Sequence, residues 1–527
     1  MQGSGAAGRG VAPGGRPGAG VIEGFYGPPW SHEARLGMLR FLAEVGLEHY
    51  AYAPKNDPFH RDRWREPAPP EQIESFRELA GEAARAGVAL SYCLAPQKLF
   101  GRANLRAVGG EPEPWGLEQM LAKLGAFQAA GVRSFGLLFD DTLATFAPRL
   151  ATARAGRLHA RTARAVLRAL CGRDPSVRVF LTPSVYLRTW DRLPPPAQRY
   201  WKALRELPAG VPVAWTGAGV FARKITGAQV ARFREETGLD LLIWNNAVAN
   251  DFVPLSTGGL IGLRGREKLS FGPPENLAAD LRGSVAGVLL NGAREPVLTR
   301  IPLACLAEWW ADPGAYDPEA AHRRALRRVA GGEAGAAVLA DLYAFTCRHR
   351  MASPWRIEGR SLADRVAALE SDPRSPAARE ALGAELERLR ALPERARKNL
   401  PPALADEVGP TAEKLHRLAE AGLAALAGRP EEARRRQRDA RRIRFEVGEG
   451  PFRKLVQDAP GRPPSAAGRR RGRSGPSRRP GPADGPEPGE SASAGPALRE
   501  NPGRSVRSGP GCRRALGATR VRPIGEA

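Results

Sequence analysis

Ser134-Phe-Gly-Leu-Leu-Phe-Asp-Asp-Thr142 is the stretch from which the rest of this chain is read. Four of the five residues at 135–139 are apolar, which suits a strand covered on both faces. Two carboxylates, Asp140 and Asp141, follow at once. In an α/β barrel the C-terminal ends of the strands carry the chemistry. Two adjacent acids in one sheltered cleft are costly to ionise together, so one is expected protonated and the other charged. That division supplies a proton donor and an anionic stabiliser. Taken alone, an Asp-Asp pair reads better as a turn that caps the next helix. The neighbouring segments decide between the two.

Outward from this stretch, strand-like and helix-like segments alternate. Strands are expected at 21–26, 49–54, 88–95, 134–141, 177–182, 211–215, 239–244 and 285–290. Helices are expected at 31–45, 71–86, 115–130, 155–170, 197–207, 227–237 and 298–310, with a long irregular stretch after 244. Eight β/α units over about 290 residues match an α/β fold of the (β/α)8 TIM barrel type. A doubly wound open sheet is the rival. No G-x-G-x-x-G or Walker A pattern follows the first strand, so a nucleotide site has no support. Residues 1–19 are Gly-rich and read as a flexible leader, and 20–314 as the barrel domain. Residues 315–455 alternate Arg and Glu at helical spacing and read as an α-helical bundle domain against the barrel. Their basic run at 434–438 reads as a solvated face. Residues 456–527 are rich in Pro, Gly, Ser and Arg and read as a disordered basic tail.

The formal net charge of +24 raises nucleic acid as a partner. However, 14 Arg and 5 acids follow Pro460, so 9 of those charges lie in the tail, where aromatic platforms for bases are missing. No specific nucleic-acid partner is expected. The five cysteines are far apart and form neither a disulfide framework nor a CxxC site. The seven histidines are dispersed, so no metal site is expected. No run approaches 18 apolar residues and the first 19 lack an apolar signal region, so no membrane span and a cytoplasmic location are expected. Oligomeric state is not legible.

The polar residues at the strand ends carry the functional reading. They are Glu23-Gly24-Phe25-Tyr26-Gly27, Ala53-Pro54-Lys55-Asn56-Asp57, the acid pair, Thr182-Pro183-Ser184-Val185-Tyr186, Trp215-Thr216-Gly217, Trp244-Asn245-Asn246 with Asn250-Asp251, and Leu290-Asn291-Gly292. If the barrel forms, they converge on one face. Carboxylates, amides, an ammonium, a phenol and indoles suit a neutral polyhydroxylated ligand: acids and amides grip hydroxyls, and aromatic faces stack on a sugar ring. Each also has a plainer reading. The glycines also read as turn residues, Trp215 and Trp244 as core, Lys55 as part of a solvated rim, Tyr186 as packing, and Asn246 and Asn291 as helix caps. Joint placement carries the weight. A catalytically silent sugar-binding module is the alternative from another class.

These motifs resemble the family-84 glycoside hydrolases, the β-N-acetylglucosaminidases that include the O-GlcNAcases. The matching residues are Gly20-Val-Ile-Glu-Gly-Phe-Tyr-Gly27 with Trp30, Tyr52-Ala-Pro-Lys55, Trp64-Arg-Glu66, Leu138-Phe-Asp-Asp141, Trp215-Thr-Gly217, Trp244-Asn-Asn246 with Ala249-Asn-Asp251, and Leu290-Asn291. The resemblance implies a retaining, substrate-assisted exo-hydrolysis of terminal β-linked N-acetylglucosamine, on a glycoprotein or glycan, through an oxazoline and without a cofactor. It implies that Asp140, charged, orients the 2-acetamido group. Asp141, protonated, is then the general acid and later the base. Tyr186 and Asn246 would support the acetamido group. Thr216 and Trp244 would line the acetyl pocket, and Val220 would lie near the leaving group. Gly24, Lys55, Asp251 and Asn291 would hold sugar hydroxyls. The chain departs from the family pattern at Asn56, at Asn245, at Ala95-Pro-Gln-Lys98 and in a longer segment between 251 and 291.

Overall fold

Eight parallel strands close into a barrel in the computed structural model. The described residues are 18–96, 116–254, 260–262, 268–346, 360–445 and 447–457, with backbone alone at 252–254, 260–262 and 360. The expected leader up to residue 17, Gln97 and Lys98, and the expected tail beyond 457 lie outside them.

The barrel strands are β1 (Gly18–Glu23), β2 (His49–Tyr52), β3 (Ala89–Leu94), β4 (Ser134–Leu138), β5 (Arg178–Thr182), β6 (Val213–Trp215), β7 (Leu241–Asn245) and, after an antiparallel pair β8 (Phe252–Pro254) and β9 (Leu260–Gly262), β10 (Gly287–Asn291). Closure comes from β1 pairing with both β2 and β10, with Ile22 opposite Asn291 and Glu23 opposite Tyr52. The barrel therefore begins two residues before the expected boundary. The first strand also stops at Glu23 rather than running to Tyr26, which frees the backbone of 24–26 to line the mouth. The stretch after residue 245 is more ordered than expected. It contains β8, β9 and a 3-10 turn at Ala279–Ser284.

β4 shows how side-chain alternation builds both layers. Phe135 and Leu137 pack outward into the helix layer, while Leu138 joins Ile22, Cys93, Phe180, Leu242 and Leu289 inside the barrel. Gly136 also faces inward. A Cβ there would sit 2.6 Å from Cys93 Sγ and 2.6 Å from the Phe180 ring, so the missing side chain is what lets Phe180 fill the barrel. At Ser134 a buried hydrogen-bond chain crosses three strands: His49 Nε2 to Ser91 Oγ at 2.7 Å and Ser91 Oγ to Ser134 Oγ at 2.7 Å.

The outer helices start and stop where their caps require. Ser31 accepts from Ala34 N at the head of His32–Val45, and Gly46 ends that helix at φ 78°. Beyond the barrel, described helices run from Pro318–Ala330 to Gly450–Gln457. The longest, Pro402–Leu426, docks on the barrel's last helix, Pro296–Ala311, through Glu407, whose carboxylate accepts Val297 N at 2.8 Å and Leu298 N at 2.7 Å. Burial pushes Glu407 up to about 7 despite these two bonds. No described helix is long and apolar enough to cross a membrane.

Candidate active site

Asp140 continues the inward phase of β4: residues 136, 138 and 140 share one face. An extended Asp141 would point the other way. Its φ of 54° breaks the alternation and returns its carboxylate to the same side. A non-glycine residue there costs about 1–2 kcal/mol, and Asp is among the few side chains that tolerate it. Both carboxylates therefore face one pocket at the C-terminal mouth of the barrel.

Lys55, from the loop after β2, joins them. Its buried ammonium pairs with Asp140 Oδ2 and lies 3.4 Å from Asp141 Oδ2. Tyr26 donates its hydroxyl to Asp141 Oδ2 at 2.6 Å, and Tyr186 donates to Asp141 Oδ1 at 3.1 Å. Arg61 Nη2 lies 3.6 Å from Asp141 Oδ2. Burial raises Asp140 above the ordinary carboxylate value and outweighs Lys55. Burial would raise Asp141 too, but Lys55, the Tyr26 hydroxyl, Arg61 and the Tyr186 hydroxyl together hold it below that value. The two carboxylates are thus pushed in opposite directions, the free pocket favouring the proton on Asp140, whereas the sequence reading places it on Asp141. The partners responsible, two phenols and a guanidinium around Asp141, come from three other segments.

The opposite wall is amide-lined. Asn291 Oδ1 accepts Gly24 N at 3.0 Å, and Asn291 Nδ2 donates to Asn246 Oδ1 at 2.8 Å. Asn246 Oδ1 also accepts Trp244 Nε1 at 2.9 Å, while its Nδ2 donates to the Val220 carbonyl at 2.8 Å. Asp251 Oδ2 accepts Tyr26 N at 2.7 Å. Thr216 Oγ1 donates to the Gly219 carbonyl at 2.9 Å. Gly24 has no room for a side chain, since a Cβ would lie 2.4 Å from the Trp244 indole.

Asp140, Asp141, Gly24, Lys55, Tyr186, Thr216, Val220, Trp244, Asn246, Asp251 and Asn291, all singled out from sequence, line this one pocket. Tyr26, Thr182, Ala214, Phe221 and Ala249 line it as well and were not singled out. Tyr26 had a signal, since it sits two residues after Gly24 in a quoted motif. Other strand-end residues turn away. Glu23 is buried outside the cleft, taking two bonds from Arg35 at 2.9 Å, one from Tyr50 at 2.6 Å and one from Trp30 N at 2.9 Å. Trp215 packs on Phe233, and Asn245 bonds Asn276 in both directions at 3.0 Å. Lys55 is buried rather than on a rim. Among the described residues no cluster of three or more His, Cys, Asp or Glu could hold a metal ion.

A closed (β/α)8 barrel with a carboxylate pair set among amides, phenols and an indole at its C-terminal mouth defines a glycoside hydrolase class of site. Comparison with known proteins narrows it: the beta-N-acetylglucosaminidase family model matches residues 19–345, and the chain belongs to that family, the family-84 glycoside hydrolases. The protein O-GlcNAcase of Rattus norvegicus is 28% identical over 309 residues, covering 58% of this chain and 31% of the relative. That of Mus musculus is 28% identical over 294 residues, covering 55% and 30%. The chain thus matches under a third of the length of these curated relatives. Among solved structures, a point variant of the Thermobaculum terrenum O-GlcNAc hydrolase superposes with a TM-score of 0.68 at 22% identity, covering 84% of this chain and 94% of that one. The structure named CpGH84B superposes with a TM-score of 0.68 at 20% identity, covering 84% and 77%. These two likenesses speak for the fold.

Proposed function

We propose that this chain is a retaining exo-β-N-acetylglucosaminidase in which the bound sugar supplies its own nucleophile. The observation that carries the proposal is the acid pair. Asp140 and Asp141 share one pocket, with Lys55 on both and two phenols on Asp141. The acids, amides and indole that line the pocket suit the hydroxyls and the face of one sugar ring.

Asp140 accepts the substrate's amide N–H; that bond favours its charged form, so the proton it holds in the free pocket passes to Asp141. The carbonyl oxygen so oriented attacks the anomeric carbon while Asp141 gives its proton to the leaving oxygen. The C–O bond to the aglycone breaks and a bicyclic oxazoline remains in its N-protonated form, the N–H held on Asp140. Asp141, now anionic, is stabilised by the Tyr26 and Tyr186 hydroxyls. It then takes a proton from water, the water oxygen opens the oxazoline, and the anomeric configuration is retained. Trp244, Thr216 and Val220 shape the acetyl pocket with Tyr186 and Asn246 beside it. Gly24 N, Lys55, Asp251 and Asn291 hold ring hydroxyls.

The substrate class is a terminal β-linked N-acetylglucosamine, on a glycoprotein or a glycan. The curated relatives named protein O-GlcNAcase favour the former. A cytoplasmic setting belongs to the same proposal and is supported by free Cys93, Cys171 and Cys305. Hydrolysis of 4-methylumbelliferyl β-N-acetylglucosaminide by the wild type, and its loss in Asp140→Asn, tests the reading. Sugar binding without turnover in the wild type would replace it with a silent lectin-like module.

A further inference from the structure

Arg61 lies between two of the sequence motifs and belongs to neither. It is held by a loop built to present it. Asp57, whose Oδ2 accepts Tyr52 OH at 2.9 Å, uses Oδ1 to accept Phe59 N at 2.8 Å. Lys123 Nζ donates to the Phe59 carbonyl at 2.6 Å. His60 is stapled to the end of β3: its carbonyl accepts Ala95 N at 2.9 Å, and its Nδ1 lies 2.7 Å from the Cys93 carbonyl. A carbonyl only accepts, so Nδ1 carries the proton. Burial holds His60 down at about 3, so the ring stays neutral.

The side chain so delivered is 11% exposed. Arg61 Nη1 donates to Tyr26 OH at 2.9 Å, and the same hydroxyl donates onward to Asp141 Oδ2 at 2.6 Å. The guanidinium also sits 5.3 Å from the centre of the Tyr26 ring. A hydroxyl that accepts from a cation becomes a stronger donor. Burial, the largest influence on Tyr26, pushes its phenol up to about 12, so it keeps the proton it donates.

We infer that Arg61, acting through the Tyr26 hydroxyl, is a positioning residue that strengthens Asp141 as the proton donor of the reaction. Five groups face Asp141 among the described residues: Tyr26 from the turn after β1, Lys55 and Arg61 from the loop after β2, Tyr186 from the loop after β5, and Asp140 beside it. Lys55 is shared with Asp140, and Tyr186 stands at 3.1 Å from the other oxygen. Arg61 and Tyr26 form the one relay that ends on Oδ2. The relay does its work when the proton has left, since it stabilises the carboxylate produced. The inference rests on Asp141 being the acid of the proposed mechanism.

The test is the pH dependence of kcat for 4-methoxyphenyl β-N-acetylglucosaminide, whose poor leaving group makes glycosidic cleavage limiting. The full chain is measured as wild type, Arg61→Gln, Arg61→Lys and Tyr26→Phe. Turnover needs protonated Asp141, so the alkaline limb reports its titration in the complex. Losing a cation or its relay raises that limb, by about one unit or more for Arg61→Gln and Tyr26→Phe, and by less for Arg61→Lys. A merely structural loop residue would lower kcat at every pH with the limb unmoved, and that result overturns the inference. Should Arg61→Gln fail to fold, Arg61→Lys measured in the wild-type and Tyr26→Phe backgrounds decides: a limb shift seen only where the Tyr26 hydroxyl is present supports the relay, and no shift in either overturns it. Wild type without turnover would remove the functional reading and this inference together; active wild type with unmoved limbs removes the inference alone.

Discussion

Replacing Asp141 by Asn removes a proton while leaving the site assembled. Asn is one of the residues that tolerates the left-handed backbone at φ 54°, so the turn after β4 is kept. The amide offers one oxygen instead of two. It keeps either the Tyr26 hydroxyl, at 2.6 Å in the native site, or the Tyr186 hydroxyl, at 3.1 Å. The phenol left without its partner costs about 1–3 kcal/mol of local stability. Proton donation by a positioned group contributes about 10²- to 10⁴-fold, or about 3–5 kcal/mol. An alkoxide-like leaving group needs all of that help; a dinitrophenolate needs almost none. The variant is therefore expected to lose about 10²- to 10⁴-fold in kcat/KM on 4-methoxyphenyl β-N-acetylglucosaminide. Its loss on the 2,4-dinitrophenyl substrate should be less than about tenfold, the share left to misplacement. Steady-state rates on the two substrates make the comparison. Equal losses on both would refute the assignment of Asp141 as the acid.

Two further outcomes test the frame that holds the site. Gly136→Ala forces a methyl against Cys93 Sγ and the Phe180 ring, both 2.6 Å from the new carbon, and is expected to cost about 1–3 kcal/mol in denaturant unfolding. An unchanged midpoint would mean that Phe180 does not fill the barrel as described. Glu407 titrates at about 7 in the folded protein against 4.5 in the ordinary case, so the folded state binds the proton more tightly. The stability this confers is full below about pH 4.5 and is lost as pH rises to about 7, by about 3 kcal/mol. Glu407→Gln is expected to flatten that slope, measured as unfolding free energy between pH 5 and pH 8, and an unaltered slope would contradict the burial argument.

Much of the fold was legible because each strand is a short apolar run bounded by turn residues, and Ser134 to Asp141 shows both signals at once. Strand ends were less legible, because residues 24–26 keep an apolar look while their backbone has already left the sheet. The pocket residues were legible as a set because a barrel brings all C-terminal strand ends to one mouth. What sequence could not show was direction and partnership. Glu23 and Trp215 stand at strand ends yet face outward, since alternation has period two and a one-residue error in phase reverses the face. The charge balance of the acid pair in the free pocket was not legible for a related reason. It depends on Tyr26, Tyr186 and Arg61 arriving from three separate segments, and Arg61 depends in turn on Asp57, His60 and Lys123 fixing its loop.

The central claim is that the sugar's acetamido oxygen, oriented by Asp140, does the work of a nucleophile. Rates on matched 4-nitrophenyl β-glycosides of N-acetylglucosamine and glucose test it most directly. An intramolecular nucleophile is worth an effective concentration of about 10⁵ M or more, so the glucoside is expected to show no measurable turnover under conditions where the acetamido sugar is hydrolysed. Comparable rates on the two sugars would contradict the account.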